Sequence, residues 1–188
     1  MPLTTLDPKT ALIIVDLQKG IMGSSFIHPI GEVVERARLL ADLFRRRGMP
    51  VVLVNVAGTA PGRTERPPRI REPLPAGWSD LISEIGQRPS DITVTKRTWG
   101  AFASTDIADQ LKMRGVTQVV IAGVATATGV EATARQAYEQ GFNVTLAVDA
   151  MTDARQEAHD YSITNVFPRL GETGTTREII DLLDKRSA

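Results

Sequence analysis

The chain has 188 residues, of which 42% are hydrophobic and 23% charged, and its 22 basic and 22 acidic side chains leave no net charge. This length and composition predict one ordinary domain over residues 1–188. The balanced charge gives no reason to expect nucleic acid or an anionic membrane as a partner, and no apolar run approaches the ~20 residues that span a bilayer. Because the chain lacks cysteine and begins without a basic-then-apolar leader, we expect a cytoplasmic protein without disulfides or thiolate metal sites.

The predicted elements alternate between strand and helix along the chain. In chain order they are a strand at 11–17, a helix at 31–48, a strand at 50–58, a short helix near 78–85, a strand at 91–95, a helix from a cap at Ser104 or Thr105 to Gly115, a strand at 117–122, a helix at 129–140, a strand at 143–148, a helix near 155–168 and a helix from Thr176. This alternation predicts an α/β fold, in which helices cover both faces of a parallel sheet.

The segment between residues 59 and 77 is predicted to be a long loop, because it holds five prolines and no apolar period. It also carries several arginines, at positions 63, 66, 69 and 71. Two interpretations stay open for these side chains. They either bind an anionic substrate or lie on a solvated surface loop.

Ligands of parallel α/β sheets bind beyond the carboxyl ends of the strands. Asp16 ends the first predicted strand, Lys96 follows the strand at 91–95, and the segment 123–129 follows the strand at 117–122. An acid and a base at two such ends can meet over one pocket. From position alone, Asp16 is equally a helix cap or a partner in a loop salt bridge. A lysine flanked by arginine and threonine, as Lys96 is, is usually a solvated surface group.

Four segments in order resemble the isochorismatase-like hydrolase superfamily. They are ALIIVDLQKG, VTKRTWGAFASTDIADQL, GVATATGVEATARQA and FNVTLAVDAMTD. The resemblance implies a single Rossmann-like domain with a six-stranded parallel sheet, and catalytic roles for Asp16 and Lys96. It also implies a cis peptide bond between Val124 and Ala125, with the amides of Ala125 and residue 129 forming an oxyanion hole.

The chain departs from this resemblance at Gly129, where most members of the superfamily carry a nucleophilic cysteine. A thioester route through that side chain is therefore excluded. Thr128 is adjacent, but its hydroxyl would need a dedicated base, and a helix-capping role is the alternative. The superfamily's isochorismatases also resemble the chain in having glycine there, and they hydrolyse a vinyl ether by protonation. Asp16 would then be the proton donor, with burial raising its pKa and Lys96 opposing that rise.

Thr128 and two aromatic side chains on the loop after Lys96, Trp99 and Phe102, are candidates to line the pocket, and a core position is the alternative for each aromatic side chain. The chain has only two histidines, His28 and His159, and no Asp-x-His cluster. We therefore expect no metal and no cofactor. The resemblance implies a homo-oligomer, a dimer or larger.

Three functions follow from these observations. The first is a hydrolase of isochorismatase type that acts on a small molecule without a covalent cysteine. The second is an amidase or ester hydrolase in which Asp16 activates a water molecule above Gly129. The third is a catalytically silent oligomeric scaffold that binds small molecules. Retention of both Asp16 and Lys96 favours the enzymes, because a buried charged pair is costly to keep.

Overall fold

Six parallel strands form the centre of the computed structural model, which describes residues 3–67, 70 and 72–185. The sheet order is β3-β2-β1-β4-β5-β6, and each neighbouring pair is parallel. The strands are β1 (Thr10–Val15), β2 (Val51–Val56), β3 (Ile92–Lys96), β4 (Gln118–Val124), β5 (Asn143–Thr152) and β6 (Glu172–Gly174). The predicted fold class is confirmed. The domain bounds of 1–188 stay a prediction.

Helices cover both faces of this sheet. They are α1 (Lys19–Met22), α2 (Ile30–Arg46), α3 (Ile107–Met113), α4 (Glu131–Glu139), α5 (Gln156–Tyr161) and α6 (Thr176–Lys185). α2 and α6 pack on the face that presents Leu12 and Ile14 of β1, and α3 and α4 pack on the face that presents Ile13 and Val15. All six residues of β1 are buried, which explains why its sequence is continuously apolar after Thr10. No helix in the described residues is both long and apolar enough to cross a membrane.

The predicted helix near 78–85 is wrong except for a single 3-10 turn at Ser83–Ile85. The carbonyl groups of residues 78–80 are occupied by tertiary hydrogen bonds instead of helical ones. The Trp78 carbonyl accepts from the amide of Gly20, and the Asp80 carbonyl accepts from the amide of Lys19. Long-range contacts therefore override the local helical preference of this segment.

Three further differences from the sequence prediction lie after residue 143. The predicted helix near 155–168 divides into α5, a π-helical turn (Ser162–Val166) and a 3-10 turn (Phe167–Arg169), where Pro168 supplies no amide donor. β5 continues to Thr152, beyond the predicted end at 148. The residue pattern did not predict β6, because it has only three residues.

The long loop after β2 holds no helix or strand between residues 59 and 77 among those that the structure describes. Arg63 and Arg66 are exposed there, which favours the solvated-loop interpretation for these two. Arg69 and Arg71 lie outside the described residues.

The predicted capping box at the start of α6 is confirmed. The Glu178 amide donates to the Thr175 hydroxyl, and the Thr175 amide donates to the Glu178 carboxylate.

Candidate active site

An aspartate and a lysine meet at the carboxyl edge of the sheet. Asp16 directly follows β1, and Lys96 is the last residue of β3. β2 lies between these two strands, and its Val56 pairs in register with Lys96. The lysine side chain therefore reaches across the end of β2, and its Nζ lies 2.7 Å from Oδ2 of Asp16. Both residues are buried, and we refer to them as the Asp16–Lys96 pair.

The backbone at Asp16 has a left-handed conformation, with a φ of 56°. Aspartate is one of the few residues besides glycine that adopt this conformation at modest cost. The Asp16 amide still donates to the Val54 carbonyl on β2 at 2.8 Å, and the Asp16 carbonyl accepts from the Gln18 amide at 2.9 Å. The end of β1 is therefore held on both sides, and such conformations cluster at functional sites.

The buried side chain of Gln18 fixes the end of β2. Its Nε2 donates to the Val56 carbonyl at 3.0 Å, and its Oε1 accepts from the Val56 amide at 2.7 Å. The Gln18 side chain therefore bonds the Val56 backbone as a neighbouring strand would, at the end of β2 that lies between Asp16 and Lys96. The sequence analysis missed Gln18, although a polar side chain two residues after Asp16 was a signal that could have found it.

Burial raises the pKa of Asp16 to about 6, against the opposing charge and hydrogen bond of Lys96. Desolvation therefore outweighs the ion pair in the competition that the sequence left open. Oδ1 of Asp16 is buried and has no hydrogen-bond partner among the described residues. Lys96 donates to the Thr98 carbonyl at 3.3 Å as well as to Asp16. The site thus holds a carboxyl group that titrates close to neutral pH and keeps one oxygen free.

The segment after β4 is a π-helical turn, Thr126–Val130, that leads directly into α4. The Val124–Ala125 peptide bond before it is cis, as the resemblance implies. The Ala125 carbonyl accepts hydrogen bonds from the amides of Thr128 and Val130 at 3.1 and 3.2 Å. The Ala125 amide itself donates to no acceptor in the part of the chain that the structure describes.

Two glycines bring this turn against β1. Gly123 has a φ of 112°, and a Cβ on it would overlap the backbone of Val15, so β4 can approach β1 this closely only with glycine there. A Cβ on Gly129 would lie 3.1 Å from Oδ2 of Asp16 and 3.0 Å from Cγ1 of Val15. Position 129 therefore lies directly beside the Asp16–Lys96 pair.

The three predicted pocket residues differ in their surroundings. Phe102 packs in the core, where its ring centroid lies 5.9 Å from that of Phe142, which precedes β5 at the opposite edge of the sheet. Its place in the pocket stays a prediction. Trp99 follows Lys96 by three residues and is 66% exposed. Thr128 is half-buried, and no hydrogen bond of its hydroxyl within the described residues caps α4.

Two buried residues beyond β5 contact the turn, and the sequence analysis did not assign them to the site. Nδ1 of His159 lies 2.9 Å from the Thr126 hydroxyl, and Oδ2 of Asp153 accepts from the Ala127 amide at 2.8 Å. Asp153 follows the carboxyl end of β5, so the rule that located Asp16 could have found it. His159 gave no signal, because its partner lies 33 residues earlier in the chain.

Open recesses lie elsewhere on the molecule. One of about 490 Å³ is at the amino edge of the sheet, lined by side chains that include Lys9, Arg45 and Arg114. Another of about 450 Å³ lies between α4 and α5. Neither contains the Asp16–Lys96 pair.

No group of three or more His, Asp or Glu side chains within the described ranges is arranged to hold a metal ion. Asp16 has Lys96 as its neighbour, and Asp153 is occupied by backbone amides. Metal independence stays a prediction.

The chain is similar to known proteins over nearly its whole length. A model of the isochorismatase domain matches residues 10–178. Identity is 41% over 180 residues to the uncharacterized isochorismatase family protein YwoC of Bacillus subtilis (strain 168), covering 92% of this chain and 93% of that protein. It is 40% over 183 residues to the uncharacterized isochorismatase family protein YecD of Escherichia coli O157:H7, covering 93% and 96%. The solved structure of an isochorismatase family protein from Burkholderia thailandensis has a TM-score of 0.91 at 37% identity, covering 96% of this chain and 98% of that chain.

Proposed function

The chain belongs to the isochorismatase family of hydrolases, and from this premise we propose that it hydrolyses a small molecule at the Asp16–Lys96 pair without a covalent intermediate. The observation that carries the proposal is the buried carboxyl of Asp16, which lies 2.7 Å from Lys96 and beside a residue without a side chain, Gly129. Asp16 is the general acid or base, and Lys96 binds the carboxylate or oxygens of the substrate.

A covalent route has no suitable nucleophile at this site. The chain contains no cysteine, and Gly129 offers no side chain. The Thr128 hydroxyl has no base within hydrogen-bonding distance among the described residues. An unactivated hydroxyl is a weak nucleophile at neutral pH. The chemistry therefore falls to Asp16 and water.

Protonation is the mechanism that we favour. With a pKa of about 6, about one tenth of Asp16 carries a proton at pH 7. The carboxyl adds this proton to the alkene carbon of a vinyl ether, and the resulting oxocarbenium ion takes up water. The added water returns a proton to Asp16, and the hemiketal breaks into a ketone and an alcohol. Each step uses a group that the site contains.

Hydrolysis of an amide or ester is the second candidate, and the free Ala125 amide favours it. The Asp16 carboxylate takes a proton from water, and the hydroxide adds to the carbonyl carbon. The amides of Ala125 and Gly129 stabilise the oxyanion, as donors aimed at developing charge do in acyl transfer. The intermediate expels the amine or alcohol, which takes up the proton held by Asp16.

The pocket is proposed from sequence position. Trp99 and Phe102 follow Lys96 on its loop and Thr128 precedes Gly129, so these three side chains are proposed to line it. A homo-oligomer is proposed from the resemblance alone. A catalytically silent scaffold is the remaining alternative, and the cost of burying a charged pair argues against it.

The experiment is a screen of the purified protein against vinyl ethers and small amides and esters. We expect Asp16→Asn to lower kcat by at least ~10²-fold, since general acid–base catalysis typically contributes that much. Asp91→Asn is a matched control, because the Asp91 side chain is also buried and lies 2.7 Å from a cation, Arg45, but Asp91 precedes β3 at the opposite edge of the sheet. It should keep its activity at a temperature where it is folded.

The pH dependence separates the two mechanisms. If Asp16 is the acid, kcat falls as the pH rises through about 6, because only the protonated carboxyl donates. If Asp16 is the base, kcat falls as the pH drops through the same value. An Asp16→Asn variant with the parent's turnover contradicts both mechanisms. Activity on none of the substrates would favour the scaffold.

A further inference from the structure

We infer that His159 and Asp153 are positioning residues for the active site, an inference that rests on the proposed function of the turn formed by residues 125–130. Each of them contacts one of the two residues that follow Ala125. The imidazole of His159 lies 2.9 Å from the Thr126 hydroxyl, and the Asp153 carboxylate accepts from the Ala127 amide at 2.8 Å. Together they fix the direction of the Ala125 amide, which is free to donate.

Asp153 links the turn to the start of α5. Its Oδ1 accepts from the amides of Ala154 and Arg155 at 2.8 and 3.3 Å, while its Oδ2 accepts from Ala127. Both carboxylate oxygens are therefore occupied by backbone donors. Because backbone donors use both oxygens, Asp153 acts through the turn and not on substrate.

His159 is held on two sides. Its ring packs edge-on against His28 with centroids 4.9 Å apart, and the ring of His28 is fixed by the Thr152 hydroxyl at 3.1 Å. Burial and, to a smaller degree, the neighbouring His28 lower the pKa of His159, while Asp160 and Asp153 oppose this. The imidazole is therefore neutral at physiological pH.

The far end of the turn is fixed from the opposite side. The Thr133 hydroxyl donates to the Gly129 carbonyl at 2.6 Å and accepts from the Ala101 amide at 3.1 Å. Ala101 belongs to the loop that follows Lys96. The turn is thus held between the segment after β5 and the segment after β3, which places Gly129 beside Asp16.

Thr126 and His159 resemble a nucleophile and its base, because a hydroxyl and an imidazole lie within hydrogen-bonding distance. Thr126 is completely buried, however, so a substrate cannot reach its hydroxyl. The hydrogen bond between Thr126 and His159 therefore holds the turn in place and does not act on substrate.

The test uses the absence of cysteine from this chain. A Gly129→Cys variant carries a single thiol beside Asp16, Lys96 and the start of α4, so the thiol reports on the direction of the turn's amides. The rate of alkylation by iodoacetamide is measured across pH, because the thiolate is the reactive form. In this background we expect His159→Leu to lower the rate at pH 7 by at least about fivefold and to shift its pH profile upward. We expect His159→Gln, which retains a hydrogen-bonding side chain, to restore at least half of the rate.

Ser162→Ala is the matched control. The Ser162 hydroxyl is also buried and donates to Glu131 on α4 at 2.6 Å, but it makes no hydrogen bond to residues 125–130 in the described chain. The control should leave the alkylation rate within about twofold of the parent. A folded His159→Leu variant with the parent's rate and pH profile overturns the inference, and so does a His159→Gln variant that is as slow as His159→Leu.

A second measurement covers the case in which the cysteine variant fails to fold. Amide hydrogen exchange at residues 125–130 is compared in the cysteine-free chain with and without His159→Leu. We expect at least about tenfold faster exchange in His159→Leu and no change in Ser162→Ala. Equal exchange in a folded His159→Leu variant overturns the inference. Neither the alkylation rate nor the exchange rate depends on turnover. A failed substrate screen therefore contradicts the proposed hydrolysis but does not decide whether His159 positions the turn.

Discussion

Replacing the whole Asp16–Lys96 pair is expected to make the protein more stable and catalytically inactive. The double variant Asp16→Asn/Lys96→Met keeps side chains of similar size but removes both buried charges. Replacing a buried ion pair by neutral groups of similar volume is often neutral or stabilising by about 1–4 kcal/mol. In this protein the desolvation of Asp16 outweighs its attraction to Lys96, as the raised pKa of Asp16 indicates.

The magnitude follows from the pKa of Asp16. Its rise from the ordinary value of 3.8 to about 6 corresponds, at about 1.4 kcal/mol per pKa unit, to about 3 kcal/mol at pH 8. Because the native state binds this proton more tightly than the unfolded chain, the group's contribution to stability is complete below pH 3.8. It is lost as the pH rises through about 6. We therefore expect the double variant to gain about 1–3 kcal/mol at pH 8.

Urea unfolding of the parent, both single variants and the double variant, at pH 5 and pH 8, measures this effect. The advantage of the double variant should be about 1.4 kcal/mol larger at pH 8, because Asp16 loses its native-state proton between these values. Each single variant should be destabilised by about 3–5 kcal/mol at pH 8, because each leaves one buried charge without a partner. A double variant that is less stable than the parent at pH 8, or a pH-independent difference, would refute this reasoning.

Two further predictions concern glycines, each with a matched control. Gly129→Ala should lower the free energy of unfolding by about 1–2 kcal/mol, because its Cβ would have three neighbours at 3.0–3.1 Å, whereas Gly31→Ala in α2, with no neighbour within 4 Å, should raise it by about 0.5–1 kcal/mol. Equal urea midpoints for the two variants would contradict this. Gly20→Ala should displace the indole of Trp78, which its Cβ would overlap, and should shift tryptophan emission to the red, whereas Gly23→Ala should not. An unchanged spectrum of Gly20→Ala would show that the segment adapts.

The sequence predicted the part of the site that depends on strand ends. A continuously apolar run followed by Asp16 indicated a buried strand, and carboxyl ends of parallel strands share one edge. Lys96 is different. Its neighbours Arg97 and Thr95 are polar, so its burial comes from the register of β3 on β2 and from the ion pair, not from local composition.

The turn after β4 could be located but not constructed from the sequence. Its π-helical geometry depends on contacts with Asp153 and His159, which lie 26 and 33 residues away from their partners. Short-range patterns carry no information about such contacts. Phe102 poses a related problem, because an aromatic side chain near a predicted pocket also satisfies a core position, and short-range patterns do not predict its packing on Phe142.

The missing side chain at position 129 and the raised pKa of Asp16 are two parts of one arrangement. A Cβ at this position would lie 3.1 Å from Oδ2, so any larger residue would press on the oxygen that binds Lys96. Glycine leaves that ion pair undisturbed, and Oδ1 stays buried without a partner in the described chain. The one unbonded acceptor of the pair then belongs to a carboxyl group with a pKa of about 6, which can give or take a proton near neutral pH. We therefore propose that the proton chemistry of the site rests on Asp16 itself, so that hydrolysis needs no residue to replace the cysteine.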